Sequence, residues 1–261
     1  MSNVSISTNN LQIGYLPSGS SSNERLVIQS DLNFSLYEGE LVCMLGPNGC
    51  GKSTLLRTLA GLQPALGGTF SLGEQANAHT DLSKRIALVL TERLSMDNTT
   101  VHDVVSMGRY PYTSFLGGLT AEDEQIISDS LTAVGFNDPD HVGATLFNAH
   151  SDGEKQRILI AKALAQQTPI ILLDEPTAHL DLPHRILVLR LLNRLAHEQN
   201  KTIVISTHEL DLALALADRI LLLKPDRNEE KARYYLDKPE ALRQTNAFFD
   251  AFGMDIFNPL G

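Results

Sequence analysis

The sequence predicts an α/β fold in which a mostly parallel sheet forms the core and carries a helical insert. Short apolar runs alternate with helix-like segments along the chain, which is the pattern of parallel strands joined by crossover helices. A glycine-rich loop, Gly-Pro-Asn-Gly-Cys-Gly-Lys-Ser-Thr, separates the apolar run 41–45 from the helix-like run 53–60. The segment from about 93 to 150 differs from the rest, because it reads as helices broken by glycine and proline.

Each element follows from local pattern. Near the N-terminus, residues 4–7 and 11–15 read as two short strands, and the strand 41–45, the helix 53–60 and the strand 85–90 follow. In the helical segment, an apolar face at helical spacing is formed by Ile126, Ile127, Leu131 and Val134. The core pattern then returns with strand 169–173, helix 185–197, strand 202–206, helix 210–217 and strand 219–223. We expect one domain over 1–261, with a helical subdomain at about 93–165 that includes the helix 154–165.

Composition limits the possible functions. The chain has 31 acidic and 21 basic residues and a formal net charge of −10, which argues against a nucleic-acid partner and against direct adsorption to anionic lipid. No segment approaches the roughly 18 apolar residues of a membrane-spanning helix. The first residues lack the basic and apolar regions of a signal peptide, and two cysteines give no disulfide framework. We expect a cytosolic chain that another protein can hold at a membrane.

The glycine-rich loop predicts a binding site for a nucleoside triphosphate. It fits G-x-x-x-x-G-K-[ST], in which backbone N–H groups converge on phosphate at a helix N-terminus. Lys52 supplies positive charge to the β- and γ-phosphates, and Ser53 supplies a hydroxyl to Mg²⁺. The predicted phosphate-binding residues are Gly46, Pro47, Asn48, Gly49, Cys50, Gly51, Lys52, Ser53 and Thr54. Cys50 is either an oxidation-sensitive thiol or a small residue that fills the loop, and we favour the second.

Further candidate residues lie on both sides of this loop. Asp174 and Glu175 end an apolar strand, where charge needs compensation; binding of Mg²⁺ by Asp174 and polarisation of water by Glu175 provide it. Ser151 and Glu154 have capping-box spacing, so they form either a plain helix cap or an anion site.

Two ring side chains complete the candidate set. His208 follows the strand 202–206, at the sheet edge where α/β folds bind ligands, although a structural histidine is the simpler alternative. Tyr15 lies on a short strand before the loop and either stacks on a base or only packs.

In order and spacing, these motifs resemble the nucleotide-binding subunit of ATP-binding cassette (ABC) transporters over essentially the full chain. Residues 46–54 match the Walker A loop, 170–175 the Walker B strand, and 150–154 the signature that usually reads Leu-Ser-Gly-Gly-Gln. Residues 178–181 match the D-loop, His208 the switch histidine and Tyr15 the adenine-stacking aromatic. The resemblance implies the ABC ATPase fold: a P-loop NTPase core with a mostly parallel sheet, an N-terminal antiparallel β subdomain and an inserted α-helical subdomain.

The resemblance also implies a mechanism that needs ATP, Mg²⁺ and a homodimer. Two chains sandwich two ATP molecules, so that Ser151 and Gly153 of one chain contact the γ-phosphate bound by Lys52 of the other. Glu175 polarises the attacking water, and His208 holds water and phosphate in register. Two further residues, Glu154 of the signature and Asp181 of the D-loop, are predicted to belong to the same nucleotide site.

The sequence departs from the family pattern in three places. His150 and Asp152 replace leucine and glycine in the signature, and Asp152 is tolerated near a phosphate-binding helix end only if its carboxylate points away. The Q-loop glutamine expected after the strand 85–90 is missing, and Thr91 followed by Glu92 stands there. We hypothesise that Thr91 keeps a weakened Mg²⁺-site role through a bridging water, and that Glu92 is structural.

The helical insert indicates which subfamily of ABC ATPases the chain resembles. Met107–Tyr112 looks like the Gly-Arg-Tyr-Pro segment of ATPases that serve bacterial importers of metal chelates; the alternative is a proline-terminated helix end with packed aromatics. The resemblance implies a polytopic permease dimer and a substrate-binding protein as partners, and a position on the cytoplasmic face of the bacterial inner membrane. We favour a ferric siderophore over cobalamin or haem as cargo. A soluble ABC ATPase of the iron–sulfur assembly type is the alternative function.

Overall fold

Two β-sheets organise the part of the chain that the computed structural model describes, residues 3–16, 25–73, 81–90, 96–113, 118–225 and 234–256. The strands are β1 (Val4–Tyr15), β2 (Leu26–Leu32), β3 (Ser35–Tyr37), β4 (Leu41–Leu45), β5 (Gly67–Leu72), β6 (Ile86–Val89), β7 (Ile170–Asp174), β8 (Thr202–Ser206), β9 (Arg219–Leu223) and β10 (Tyr234–Asp237). The α-helices are α1 (Lys52–Leu59), α2 (Val101–Ser106), α3 (Ala121–Ala133), α4 (Pro139–Gly143), α5 (Asp152–Ala165), α6 (Leu182–Glu198), α7 (Leu210–Leu216), α8 (Pro239–Arg243) and α9 (Ala247–Phe252). Short 3₁₀ helices cover Leu82–Lys84, Met107–Tyr112 and Phe147–Ala149.

The larger sheet is the predicted parallel core. Its strand order is β10-β9-β4-β8-β7-β6, and every neighbouring pair is parallel except β10 with β9. Every residue of β4, β7 and β8 is buried, which explains why these strands read as continuous apolar runs. Because β8 lies between β4 and β7, the carboxyl ends of these three strands meet at one edge of the sheet.

The N-terminal sheet is antiparallel, with β1 pairing with β2, β3 and β5. The prediction of two strands at 4–7 and 11–15 is wrong, because β1 is one strand of 12 residues. The polar Asn9-Asn10 step, which looks like a turn in the sequence, is an irregularity within β1, with Asn10 at φ +47°. The Asn33 side chain stabilises this irregularity, since its Oδ1 accepts a 2.7 Å hydrogen bond from the Asn10 backbone N–H.

The helices of the insert share one hydrophobic core with a face of the parallel sheet. Alternate residues of β4 point to opposite sides: Cys43 and Leu45 join the core under the insert, while Val42 and Met44 join the core under α1. In α3 and the turn after it, Ile127, Leu131 and Val134 are buried as the helical spacing predicts, and Ile126 is half-buried. None of the helices in the described ranges has the length and apolar character needed to cross a bilayer.

The C-terminal helices α8 and α9 cover the end of the parallel sheet. Phe248 in α9 is buried in the main core, whereas its neighbour Phe249 is exposed. The Tyr235 hydroxyl donates to Asp250 at 2.5 Å and so ties β10 to α9. Helix α9 therefore packs on the core of its own chain through Phe248.

Candidate functional site

The glycine-rich loop connects β4 to α1, as the sequence predicts. Gly51 is the N-cap residue of α1 and has φ +100°, a left-handed conformation that L side chains rarely adopt. Helix α1 has no side-chain cap and no acidic residue in its first turn. The positive end of this helix therefore faces the loop without a carboxylate from α1 to compensate it.

The Lys52 side chain is hydrogen-bonded to the first two residues of the loop. It is buried, and its Nζ donates to the carbonyl oxygens of Gly46 at 2.8 Å and Pro47 at 3.3 Å. An ammonium group beside an uncapped helix N-terminus is the donor set that suits a chain of phosphates. The residues present therefore fit the triphosphate of ATP.

Gln29 supports the loop from β2, and sequence reasoning missed it. The Gln29 side chain is fully buried, and its Nε2 donates to the Cys50 carbonyl at 2.9 Å and to the Lys224 carbonyl at 2.5 Å. Cys50 is also buried, and burial raises the pKa of its thiol despite the nearby Lys52 charge. The geometry agrees with a small space-filling residue and not with a reactive thiolate at position 50.

Asp174 lies beside two hydroxyl groups at the shared edge of β7 and β8. Its Oδ1 accepts hydrogen bonds from Ser53 Oγ at 3.0 Å and from Ser206 Oγ at 2.6 Å. Ser206 was not predicted as a site residue; it is the last residue of β8 and is in register with Asp174 in the parallel pair. Hydroxyl groups from two other parts of the chain, the start of α1 and the end of β8, thus meet at one buried carboxylate.

Glu175 and His208 are in direct contact. His208 Nε2 lies 2.7 Å from Glu175 Oε1. Glu175 has φ +46°, and its backbone N–H donates to Ser206 Oγ at 2.9 Å and to the Ser206 carbonyl at 3.1 Å. A non-glycine residue in this conformation costs about 1–3 kcal/mol, so the surrounding contacts hold Glu175 in a strained turn. Such strain is common where a side chain must be aimed at a reacting group.

The signature residues begin α5 as a complete capping box. Ser151 is the N-cap, its backbone N–H donates to Glu154 Oε2 at 3.0 Å, and its hydroxyl donates to the same oxygen at 2.8 Å. These hydrogen bonds, first that of the backbone N–H, hold the pKa of Glu154 below its usual range. The plain helix cap, one of the two alternatives that the sequence leaves open, is therefore present. In the first turn of α5, Gly153 is buried and Asp152 is exposed.

The D-loop residue Asp181 is the N-cap of α6. Its Oδ1 accepts from the His184 backbone N–H at 3.1 Å and contacts His184 Nδ1 at 2.5 Å, which lowers the pKa of Asp181. The His184 ring packs against Gly153 of the signature. Arg185 joins the D-loop to the residue after His208, since it donates to the Leu180 carbonyl at 2.7 Å and to Glu209 at 2.5 Å.

Tyr15 is the last residue of β1, and its side chain reaches the start of α1. Its hydroxyl is 3.2 Å from Thr54 Oγ1 and its side chain is exposed, so the ring is accessible for stacking. Thr91 and Glu92, the predicted Q-loop replacements, lie outside the described residues. No hydrogen bond or ion pair in the described ranges joins Ser151 or Glu154 to the loop 46–54. The candidate residues thus form two groups, one at the carboxyl edge of the sheet and one at the start of α5.

Comparison with known proteins decides the family. Residues 29–178 match the family described as ABC transporter. The chain belongs to the ABC transporter family. This ABC cassette is 36% identical over 253 residues to a protein of Bacillus subtilis strain 168 named as a probable siderophore transport system ATP-binding protein; the match covers 96% of this chain and 86% of the relative.

Solved structures confirm the ABC ATPase fold. A transporter assigned to the metal-chelate type of ABC transporter, in an inward-facing conformation, aligns with a TM-score of 0.79 and 30% identity over 97% of this chain and 90% of its own. A dimeric bacterial ABC transporter cassette aligns with a TM-score of 0.68 and 26% identity over 85% of this chain and 97% of its own. The cassette is an ATPase whose hydrolysis of ATP is coupled to transport.

Proposed function

We propose that this cassette hydrolyses ATP at two composite sites of a homodimer and thereby drives import of a metal chelate, a ferric siderophore, through a membrane permease. The observation that supports the proposal is that the candidate residues form two separate groups. Lys52, Asp174, Glu175 and His208 lie at the carboxyl edge of the sheet, and Ser151 lies at the capped start of α5. A second copy of the chain brings the start of its own α5 to the first group.

In this proposal, each residue has a role that its position supports. Lys52 and the N-terminal amides of α1 bind the phosphates. Glu175 accepts a proton from the attacking water, and His208, 2.7 Å from it, orients that carboxylate. Ser151 and Gly153 of the partner copy bind the γ-phosphate, Glu154 holds their helix end, and Asp181 lies at the same dimer interface. Tyr15 stacks on the adenine.

Ser53 and Asp174 fit a Mg²⁺ site, since a hydroxyl and a carboxylate oxygen already meet at 3.0 Å and Mg²⁺ prefers oxygen ligands. Bound there, Mg²⁺ would supply the positive charge that offsets the charge of the phosphates. Thr91 remains a proposed contributor to this site. Ser206 holds Asp174 in place, because it donates to Oδ1 at 2.6 Å.

We expect Ser206→Ala to lower ATPase activity by about 10- to 100-fold at limiting Mg²⁺. Loss of a hydrogen bond to a charged group costs about 1.5–3 kcal/mol, and Asp174 loses the 2.6 Å donor Ser206. ATPase rates measured over a series of Mg²⁺ concentrations should show a higher requirement for Mg²⁺. Ser71→Ala is the matched control, since it removes a 2.7 Å contact with Ser7 in the antiparallel sheet. An unchanged Mg²⁺ dependence in Ser206→Ala would contradict the assignment.

The cargo class is supported by similarity along nearly the full chain. The relative that matches 96% of this chain is named for siderophore transport, and the structure that matches 97% is of the metal-chelate type. Both favour an importer over the iron–sulfur assembly alternative. A substrate-binding protein completes the proposed system, with the cassette on the cytoplasmic face of the bacterial inner membrane.

The segment Met107–Tyr112 presents a surface suited to the permease. A β-carbon on Gly108 would lie 2.3 Å from the Lys162 carbonyl, so the absence of a side chain lets the segment pack closely on α5. Arg109 points inward and is buried, whereas the Tyr110 side chain is 64% exposed. The sequence alternative of packed aromatics fits Tyr112, whose ring centroid lies 4.2 Å from the Arg109 guanidinium, but it does not fit Tyr110.

Co-purification tests this function. We expect the cassette to co-purify from detergent-solubilised membranes with a polytopic permease, and Tyr110→Ala to reduce the recovered permease severalfold. Phe249→Ala is the control, because it removes a similarly exposed aromatic from α9. Recovery of a soluble scaffold protein in place of a permease would support the iron–sulfur assembly alternative and contradict the importer. Uptake of labelled ferric siderophore, compared with cobalamin and haem, then tests the cargo.

A further inference from the structure

His150, which stands where the signature usually has leucine, is part of a polar network at the start of α5. Its side chain is 13% exposed, and its ring packs edge-on against Phe136 with centroids 6.3 Å apart. Glu154 is a departure in addition to the three named above, since the usual motif has glutamine there. The chain therefore replaces an apolar and an amide side chain by a histidine and a carboxylate that lie side by side.

The hydrogen bonds determine which ring nitrogen of His150 carries hydrogen. The Thr145 hydroxyl donates to the Val142 carbonyl at 2.6 Å, which uses its single hydrogen. The same hydroxyl lies 2.7 Å from His150 Nε2, so it must accept there and the imidazole must donate. Nε2 is thus protonated, and in the neutral ring Nδ1 has only a lone pair.

Nδ1 faces a negative charge. It lies 3.7 Å from Glu154 Oε2, so the neutral ring presents a lone pair to a carboxylate, whereas the protonated ring presents an N–H. Within the described ranges, a further charged group at this cluster is Arg157, whose guanidinium stacks on Phe136 at 4.5 Å and donates to the carbonyls of Val134 and Gly135. Phe136 and Thr145, from the segments around α4, carry no charge. Both nitrogens of a protonated His150 would therefore face acceptors.

The Glu154 carboxylate also accepts a hydrogen bond from the Ser151 hydroxyl. Ser151 Oγ donates to Glu154 Oε2 at 2.8 Å, and a hydroxyl has one hydrogen to donate. While that bond exists, Ser151 cannot donate to a phosphate of the facing subunit. Glu154 Oε2 also accepts from the Ser151 backbone N–H at 3.0 Å, and a further donor from His150 would lower the cost of releasing the hydroxyl.

We propose that His150 is a positioning residue for the composite site: when protonated it binds Glu154, releases the Ser151 hydroxyl for the γ-phosphate of the partner's ATP, and so favours closure of the dimer as the pH falls from about 8 to about 6. The inference rests on the proposed function, because it needs Ser151 to face a partner's nucleotide. Histidine is the side chain whose ordinary titration spans this range. By linkage, closure of the dimer in turn favours protonation of His150, once per site.

The test measures ATP-dependent dimerisation of the Glu175→Gln chain by sedimentation at several pH values. We expect the ATP concentration for half-dimerisation to fall about fivefold from pH 8 to pH 6, the scale of a partly exposed charged pair. His150→Gln keeps a donor for Thr145 but cannot become charged, and should lose this dependence. His150→Leu, the usual residue of the motif, should dimerise with the same flat profile, which guards against a folding defect in the glutamine variant.

Two controls separate the possible outcomes. His102→Gln removes another histidine–carboxylate contact, 2.7 Å to Glu124, and should keep the native pH dependence. Ser151→Ala should prevent dimerisation at every pH, and if it does not, the composite site itself is wrong. If Ser151→Ala prevents dimerisation while His150→Gln and His150→Leu keep the native pH dependence, the role of His150 is disproved and the proposed function stands.

Discussion

Replacement of Glu175 by glutamine should slow ATP turnover by roughly 10²–10⁴-fold, the usual contribution of a general base. Glutamine has the same shape as glutamate, so the strained turn at φ +46° and the contact with His208 can persist. The amide cannot accept the proton of the attacking water. Because binding through Lys52 is untouched, the variant should accumulate as an ATP-bound dimer.

Steady-state ATPase rates and sedimentation with ATP and Mg²⁺ measure both effects. Glu240→Gln makes the same chemical change at an exposed position in α8 and should leave both unchanged. Hydrolysis by Glu175→Gln at near-native rates would remove Glu175 from the reaction. A slow variant that stays monomeric with ATP would leave the base in place but contradict the composite site.

Replacement of Arg109 by methionine should lower the free energy of unfolding by about 3–5 kcal/mol, the cost of leaving a buried charge without its partner. Arg109 is 5% exposed, and its Nε donates to Asp123 at 2.8 Å. Its Nη1 donates to the Ala165 carbonyl at 2.7 Å and to Gln167 at 2.9 Å. Arg109 thus joins the Met107–Tyr112 segment to the start of α3 and the end of α5.

Asp123 makes the stability difference between the native chain and Arg109→Met depend on pH. Hydrogen bonds from the Thr120 backbone N–H and from Arg109 lower the pKa of Asp123 to about 2. A lowered carboxyl pKa contributes stability that is present above about pH 4, the value in the unfolded chain, and is lost as the pH falls toward 2. In Arg109→Met the pKa of Asp123 should rise, so this acid-sensitive contribution should shrink.

Thermal unfolding followed by circular dichroism measures the change. A loss of 3–5 kcal/mol corresponds to a Tm lower by about 6–20 °C for a domain of this size. Arg194→Met is the matched control, because Arg194 is exposed, lies 3.9 Å from Glu198 and donates to the Ala133 carbonyl at 2.9 Å, and such surface contacts contribute about 1 kcal/mol or less. An equal shift in both variants would show that the buried pair adds no more than a surface pair.

Local pattern was sufficient for most elements whose interacting residues are close in the sequence, although α6 begins at Leu182, three residues before the predicted start, because Asp181 caps it. The strands 202–206 and 219–223 have the predicted bounds, and β7 begins one residue later than predicted. The capping box of Ser151 and Glu154 is also as predicted, because an i, i+3 contact depends only on helix geometry. The continuous β1 was missed, since its Asn10 irregularity is stabilised by Asn33, 23 residues away.

Supporting residues of the site were missed for the same reason. Gln29 gives no local signal, because one of its partners, the Lys224 carbonyl, is 195 residues away. Ser206 reads as the end of an apolar strand, and its role depends on being opposite Asp174 in the next strand. Arg185 becomes relevant only when α6 lies beside Glu209.

The sequence by itself determined the phosphate-binding loop, the acidic end of β7 and the family resemblance, because each is a run of adjacent residues whose chemistry is local. The tertiary structure decided which atoms meet. The order β4-β8-β7 brings Ser53, Asp174 and Ser206 to one edge, and packing at the start of α5 brings His150 to Glu154. Strand order and helix packing depend on burial across the whole chain, so no local pattern contains them.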